Sequence, residues 1–390
     1  MPLLLIKIKN IFTYFIHFLI FQKLKNVSAE TKPNTLLLIR LDAIGDYILF
    51  RNFIEVINKS KRFNNYNVTL CGNVIWSDIA ETFDQKYIKD FIWIDRNKFY
   101  RDSAYKYEIL KQIKTAGFET AADLSYSREI LYGDTIIRAS GARVKIGSDG
   151  SRDKHAVWKR NLLSNKYYNE IVTLGDEDLF EFDRNKEFLG KIMNEKIKIT
   201  KPELDVSGIP LNNAAVKPYT VIFFGASSSR KIWDIKNFIN IAEYLIDNYS
   251  YNIILTGSKK EKKNSNIFLN YLPAEKLIDL CGKTTLPELS KIIAESEILI
   301  SNESVAVHIS ASVNKKFVCI TNGERFGRFH PYPKEIFDKG YYVYPGEIMK
   351  NVDKPDYLSR YRFVSDLDIN SIKPGEVKEV IKQVIQNQFI

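Results

Sequence analysis

The chain has 390 residues, 45% of them hydrophobic and 13% aromatic, which excludes a disordered or fibrous protein and suits two α/β domains better than one small core. Three scattered cysteines without a C-x-x-C pair and four unclustered histidines argue against a disulfide framework and a metal site, and for a reducing compartment. The formal net charge is +10, from 57 basic and 47 acidic residues. The lysines are dispersed, so nucleic acid is not expected as a partner; anionic small substrates or an anionic membrane face fit better.

The chain opens on two apolar runs, Leu3–Ile6 and Ile11–Phe21, with Lys7, Lys9, Lys23 and Lys25 around them. The longer run falls short of the ~20 residues that span a bilayer, and no small-residue cleavage site follows. Two readings stand: an interfacial helix with its lysines near anionic headgroups, or a helix docked on the protein. The density of aromatics ahead of any domain start favours the first, a peripheral site at the membrane. Asn26–Asn34, polar and carrying Pro33, reads as a linker.

A regular rhythm then begins. Thr35–Arg40 is a continuous apolar run, as a buried parallel strand should be. Tyr47–Ile57 has helical spacing, and the alternation continues with strands at Asn67–Cys71, Phe91–Ile94, Thr120–Leu124 and Arg143–Gly147. Helices are predicted between them at Ile75–Phe83, Ala104–Thr115 and Arg128–Ala139. Ser148–Lys166 reads as a basic loop and Tyr167–Asn194 as a helix. Pro202, Pro210 and Pro218 mark a domain boundary.

The rhythm restarts with strands at Tyr219–Phe224, Asn252–Thr256, Lys276–Leu280, Ile298–Ser301 and Phe317–Ile320. Helices are predicted at Ile235–Asn248, Glu261–Tyr271, Leu286–Glu295 and Ser304–Val313. Gly323–Pro355 is irregular, and Pro374–Gln386 is a closing helix. The expected class is α/β with two Rossmann-like domains: an extension and linker (1–34), an N-terminal domain (35–205), a C-terminal domain (206–373) and the closing helix (374–390). Parallel sheets of this kind bind ligands beyond the carboxyl ends of their strands, so a cleft with one substrate on each side is expected.

Four segments at strand ends carry chemistry. In Arg40-Leu-Asp-Ala-Ile-Gly-Asp46, Asp46 opens a helix; a carboxylate there is either a general base or a helix cap. Phe224-Gly-Ala-Ser-Ser-Ser-Arg-Lys-Ile-Trp233 sets Ser227 and Ser228 beside Lys231 and suits a diphosphate, although a polar surface loop has the same composition. In Thr256-Gly-Ser-Lys-Lys-Glu261, Glu261 either accepts hydrogen bonds from a ribose or supports its own helix start. Asn302-Glu303-Ser304-Val305-Ala-Val-His308 joins a strand to a helix whose first N–H groups suit an anion. There His308 is a hydrogen-bond donor to a phosphate or sugar, or a core histidine.

Together, in order and strand-end placement, these segments resemble glycosyltransferase family 9, the bacterial ADP-heptose:lipopolysaccharide heptosyltransferases, over about residues 35–330. The resemblance implies a GT-B-type fold, inversion at the anomeric carbon, and neither a metal nor a cofactor. Asp46 falls on the family's catalytic aspartate. Ser227, Ser228 and Lys231, with the lysine-x-tryptophan pattern completed by Trp233, fall on its phosphate-binding segment, and Glu261 on its nucleoside contact. Glu303, Ser304 and His308 fall on its Asn-Asp-Thr/Ser-Gly-x-x-His segment, with Glu303 in place of Asp and Val305 in place of Gly. The implied partners are a nucleotide-sugar donor, ADP-linked in the family, and a lipid-linked or core saccharide acceptor at the inner face of the cytoplasmic membrane. Arg128, Arg138 and Arg152 are candidates for the acceptor's phosphates. A nucleotide-sugar epimerase on the same scaffold and a non-catalytic nucleotide-sugar or glycan binder are the alternative functions.

Overall fold

A computed structural model describes residues 15–151, 154–175, 179–211 and 216–386. The chain divides into two compact units. The first comprises residues 1–43, 53–177 and 184–197, and the second residues 44–52, 178–183 and 198–390.

The first unit holds six strands: β1 (Lys32–Arg40), β2 (Asn67–Asn73), β3 (Asp90–Ile94), β4 (Phe118–Asp123), β5 (Val144–Ser148) and β6 (Glu170–Val172). Their order is β3-β2-β1-β4-β5-β6, and every pair is parallel. The second unit repeats the plan with β7 (Tyr219–Phe223), β8 (Asn252–Thr256), β9 (Leu277–Asp279), β10 (Leu299–Asn302), β11 (Phe317–Ile320) and β12 (Gly340–Val343). Its order, β12-β11-β10-β7-β8-β9, is again wholly parallel. In each sheet the chain winds outwards from a middle strand, returns, and winds the other way. The reversals lie between β1 and β4 and between β7 and β10, where loops part to opposite faces and leave room for ligands.

Apolar runs explain the middle strands. Leu36 to Ile39 in β1 and all five residues of β7 are buried, as strands covered by helices on both faces must be. In the second unit Trp233, Phe238, Phe268 and Ile381 of the closing helix Pro374–Gln386 meet in one core.

Pairing overrides the local pattern at several points. The segment expected as a linker already becomes strand at Lys32, whose N–H donates to the Gly117 carbonyl at 2.8 Å. Tyr167–Asn194 is not one helix: Glu170–Val172 pairs with β5 as an edge strand, and the helix begins only at Glu181. The basic segment expected as a loop holds helical turns at Lys154–Lys159 and Arg160–Ser164. The helix expected from Arg128 runs from Gly133 to Ser140 and stops at Gly141, whose φ of 65° is left-handed.

Residues 15–25 form a helix with two apolar faces. Ile20, Phe21 and Leu24 are buried in the core of the first unit, while Phe15, Phe18 and Leu19 are exposed. Lys114 donates to the Leu24 carbonyl at 2.5 Å, and the Arg138 guanidinium stacks 3.7 Å from the Phe21 ring centroid. The helix is therefore docked, and its outer face is still apolar. Leu3–Ile6 and the start of the second run lie outside the described residues. Among the described residues no helix is long and apolar enough to cross a membrane.

Candidate functional site

The chemistry-bearing segments of the second unit gather at the β7/β10 reversal. Asn302, the last residue of β10, is buried; its Nδ2 donates to the Phe224 carbonyl at 2.7 Å and its Oδ1 accepts from the Trp233 N–H at 3.1 Å. One side chain thus ties both ends of the Phe224–Trp233 segment to the neighbouring strand. Between those anchors a short turn, Ser229–Lys231, drives Lys231 inward. Its Nζ lies 2.7 Å from Glu303 Oε2 and 3.5 Å from Glu324 Oε1. Ser227 is exposed at the outside of this segment and Ser228 is half-buried.

Ser304 caps the helix Val305–Ser312: its Oγ accepts from the Ala306 N–H at 3.2 Å and lies 2.9 Å from Ser301 Oγ. Glu303 therefore projects from the turn immediately before a helix start, where the first N–H groups favour negative charge. Glu261 takes hydrogen bonds from the N–H and Oγ of Ser258 at 2.8 and 2.5 Å, and its carboxyl group lies over Gly225. It closes the turn after β8 beside the Phe224–Trp233 segment.

His308 is buried, and one ring nitrogen lies 2.9 Å from the Tyr332 hydroxyl. Burial holds its pKa down to about 3, so the ring is neutral at physiological pH. Its other edge meets Gly45: a β-carbon there would stand 2.7 Å from His308 Cδ2. Glycine permits that approach, and the short helix Ile44–Ile48 belongs to the second unit. Asp46 is half-buried in the first turn of this helix, two residues past its start rather than at its cap. The carboxylate segment and the histidine segment, far apart in sequence, are thus neighbours within one unit.

Sequence reasoning missed the residues between β11 and β12. Glu324 is 9% exposed, and its Oε2 accepts from Arg230 at 3.3 Å while Oε1 faces Lys231. His330 Nε2 donates to the Glu324 carbonyl at 2.8 Å, and its Nδ1 lies 3.2 Å from the Tyr344 hydroxyl. The signal was present in Asn322-Gly-Glu-Arg-Phe-Gly: Gly323, Arg325 and Gly327 all have left-handed φ values, of 88°, 72° and 78°, which wind the loop tightly.

The arginines expected to meet an acceptor have other surroundings. Arg128 is buried: it stacks on Tyr168 at 4.3 Å, lies 3.6 Å from Asp134 and donates to Asn165 at 2.5 Å. Arg138 is exposed and spans Phe21 and Tyr167. Arg152 lies outside the described residues. Arg128 joins a buried cluster at the carboxyl end of β4, in which the Tyr168 hydroxyl donates to Asp134 at 2.5 Å and lies 3.4 Å from Asp123. Burial, then the Asp134 charge, push the Asp123 pKa up to about 7.

Residues 108–340, more than half of the chain, match glycosyltransferase family 9 (heptosyltransferase). Lipooligosaccharide heptosyltransferase 2 of Campylobacter jejuni is 29% identical over 170 residues, 43% of this chain and 50% of that protein; the match thus spans half of the relative's length. The solved structure of E. coli ADP-heptose lps heptosyltransferase II superposes with a TM-score of 0.63 at 15% identity, covering 91% of this chain and all of the other. A glycosyltransferase family 9 protein from Veillonella parvula gives 0.67 at 14% identity, over 92% of this chain and all of the other. At these identities the superpositions establish the shared two-sheet fold.

Proposed function

The chain belongs to glycosyltransferase family 9, and on that premise we propose that it transfers a sugar, a heptose or a relative of it, from a nucleotide-sugar donor to a lipid-linked or core saccharide. The observation that carries this reading is the apposition of Gly45 and His308. Asp46 lies in the same compact unit as Lys231, Glu303 and Ser304. In the proposed mechanism the Asp46 carboxylate takes the proton of the acceptor hydroxyl as its oxygen attacks the anomeric carbon. Attack comes from the face opposite the nucleoside diphosphate, so the anomeric configuration inverts. The C–O bond to the diphosphate breaks, and its electron pair leaves on the phosphate oxygen. Lys231, Arg230 and the helix start at Ser304 receive that charge. Ser227 and Ser228 supply hydroxyl donors to the phosphates, and Glu261 holds the nucleoside.

Glu303 supports the donor side by orienting Lys231 at 2.7 Å. Val305 stands where the family pattern has glycine and narrows the backbone's approach to the donor. In this proposal the two cations, Lys231 and Arg230, neutralise the charge of the departing diphosphate.

The deciding experiment is transfer by Asp46→Asn with ADP-heptose and a core saccharide acceptor. A fall of at least about a hundredfold in kcat with unchanged donor affinity is expected for loss of a general base. Near-full transfer by a folded variant removes Asp46 from the chemistry, and isomerised nucleotide sugar formed without acceptor points to an epimerase. Activity should also survive EDTA treatment. We further propose a cytoplasmic location with peripheral contact at the membrane, supported by the exposed Phe15, Phe18 and Leu19 beside Lys23 and Lys25. Binding to vesicles with anionic lipid that persists unchanged in a Phe15→Ser, Phe18→Ser variant defeats it.

A further inference from the structure

We infer that Glu324 is a built-in competitor for the donor diphosphate, so that the site admits only an anion strong enough to exchange for its carboxylate. This rests on the proposed role of the Phe224–Trp233 segment. Lys231 already has a close counter-ion in Glu303 at 2.7 Å, and one carboxylate balances one ammonium. Glu324 brings a second, whose two oxygens divide between Lys231 at 3.5 Å and Arg230 at 3.3 Å. It presents a planar pair of anionic oxygens to two cations, the arrangement those cations would offer to phosphate.

The Glu324 backbone is held firmly. Its N–H donates to Asn322 Oδ1 at 3.1 Å and its carbonyl accepts from His330 Nε2 at 2.8 Å. Gly323 and Arg325 on either side have left-handed φ values. The carboxylate can therefore leave the cations by side-chain rotation while the loop stays in place. Arg230 is 60% exposed at its side chain and Glu324 only 12%, so the departing group moves from a partly desolvated position towards water.

Charge decides the exchange. A carboxylate carries one negative charge on two oxygens; a diphosphate carries more charge on more acceptors and wins the same two cations. Orthophosphate or a nucleoside monophosphate gains less from the swap. Glu324 thus sets the threshold of charge that an anion must bring to occupy the site.

The test is calorimetric binding of inorganic pyrophosphate and of orthophosphate to the full-length protein. Glu324→Gln, which keeps the side-chain shape, and Glu324→Ala, which removes the carboxyl group, should each bind pyrophosphate about tenfold more tightly than the unaltered protein. Orthophosphate should gain at least as much, because the same carboxylate no longer has to be displaced. Lys231→Met should abolish binding of both. If Lys231→Met abolishes binding but both Glu324 variants bind as before or more weakly, Glu324 is not a competitor and this inference falls alone. If pyrophosphate binding is absent throughout, or is untouched by Lys231→Met, the anion-site reading falls and this inference with it.

Discussion

At Gly45 a single missing methyl group leaves room for the His308 ring. The β-carbon of alanine would stand 2.7 Å from His308 Cδ2, and His308 is buried against Tyr332, so the ring has little room to yield. Gly45→Ala should therefore destabilise the protein by about 1–3 kcal/mol through overpacking. Adding His308→Ala removes the overlap. Urea unfolding of the two single variants and the double variant should show a double change smaller than the sum of the singles, and simple additivity would disprove the contact. Asp123 gives a second residue-scale prediction. Burial lifts its pKa from 3.8 to about 7, so between those values the unfolded chain gives up this proton before the folded one does. Folded stability therefore declines as pH rises through that window and levels off above pH 7. Asp123→Asn should flatten that part of the Tm–pH curve; an unchanged slope would exclude a raised pKa.

At the scale of elements, the docked helix over residues 15–25 is the clearest case of one segment with two faces. Its inner face ends in Leu24, 2% exposed in the first unit's core. Leu24→Ala should cost about 2–5 kcal/mol, as loss of a core leucine does, whereas an exposed change such as Phe18→Ser should stay within about 0.5 kcal/mol. Denaturation midpoints of the two variants measure this directly, and equal midpoints would mean the helix is not part of the core. The edge strand β6 teaches a related lesson. Glu-Ile-Val reads equally as the start of a helix or as a strand, and pairing of Ile146 with Glu170 settles it. Local preference is weak there, and a neighbouring strand with free hydrogen-bonding groups outweighs it.

For the whole molecule, the chain builds the same sheet order twice and places most of the proposed donor contacts at the second reversal. Ligand effects should then be confined. Saturating ADP should slow amide hydrogen exchange over residues 225–233 and 303–308 of the second unit and leave residues 15–25 and 118–123 of the first unchanged. Equal protection in both units would show that the nucleotide is not held at the β7/β10 reversal.

What the sequence determined by itself is the part that depends on short-range physics. Continuous apolar runs such as Thr35–Arg40 and Tyr219–Phe224 mark strands covered on both faces, and the alternation with helical spacing implies parallel sheets. Strand ends rich in Gly, Ser and charge mark where ligand contacts are expected, because loops at the carboxyl ends of parallel strands are free of the sheet's packing demands. Tertiary structure alone decided the partnerships: Glu324 against Arg230 and Lys231, His308 against Gly45, and Arg128 buried with Asp134. Each of these joins residues from separate βα units, and strand order decides which units become neighbours. Burial then sets the charge states, as it does for His308 and Asp123, and burial belongs to the packed chain; no local pattern of residues encodes it.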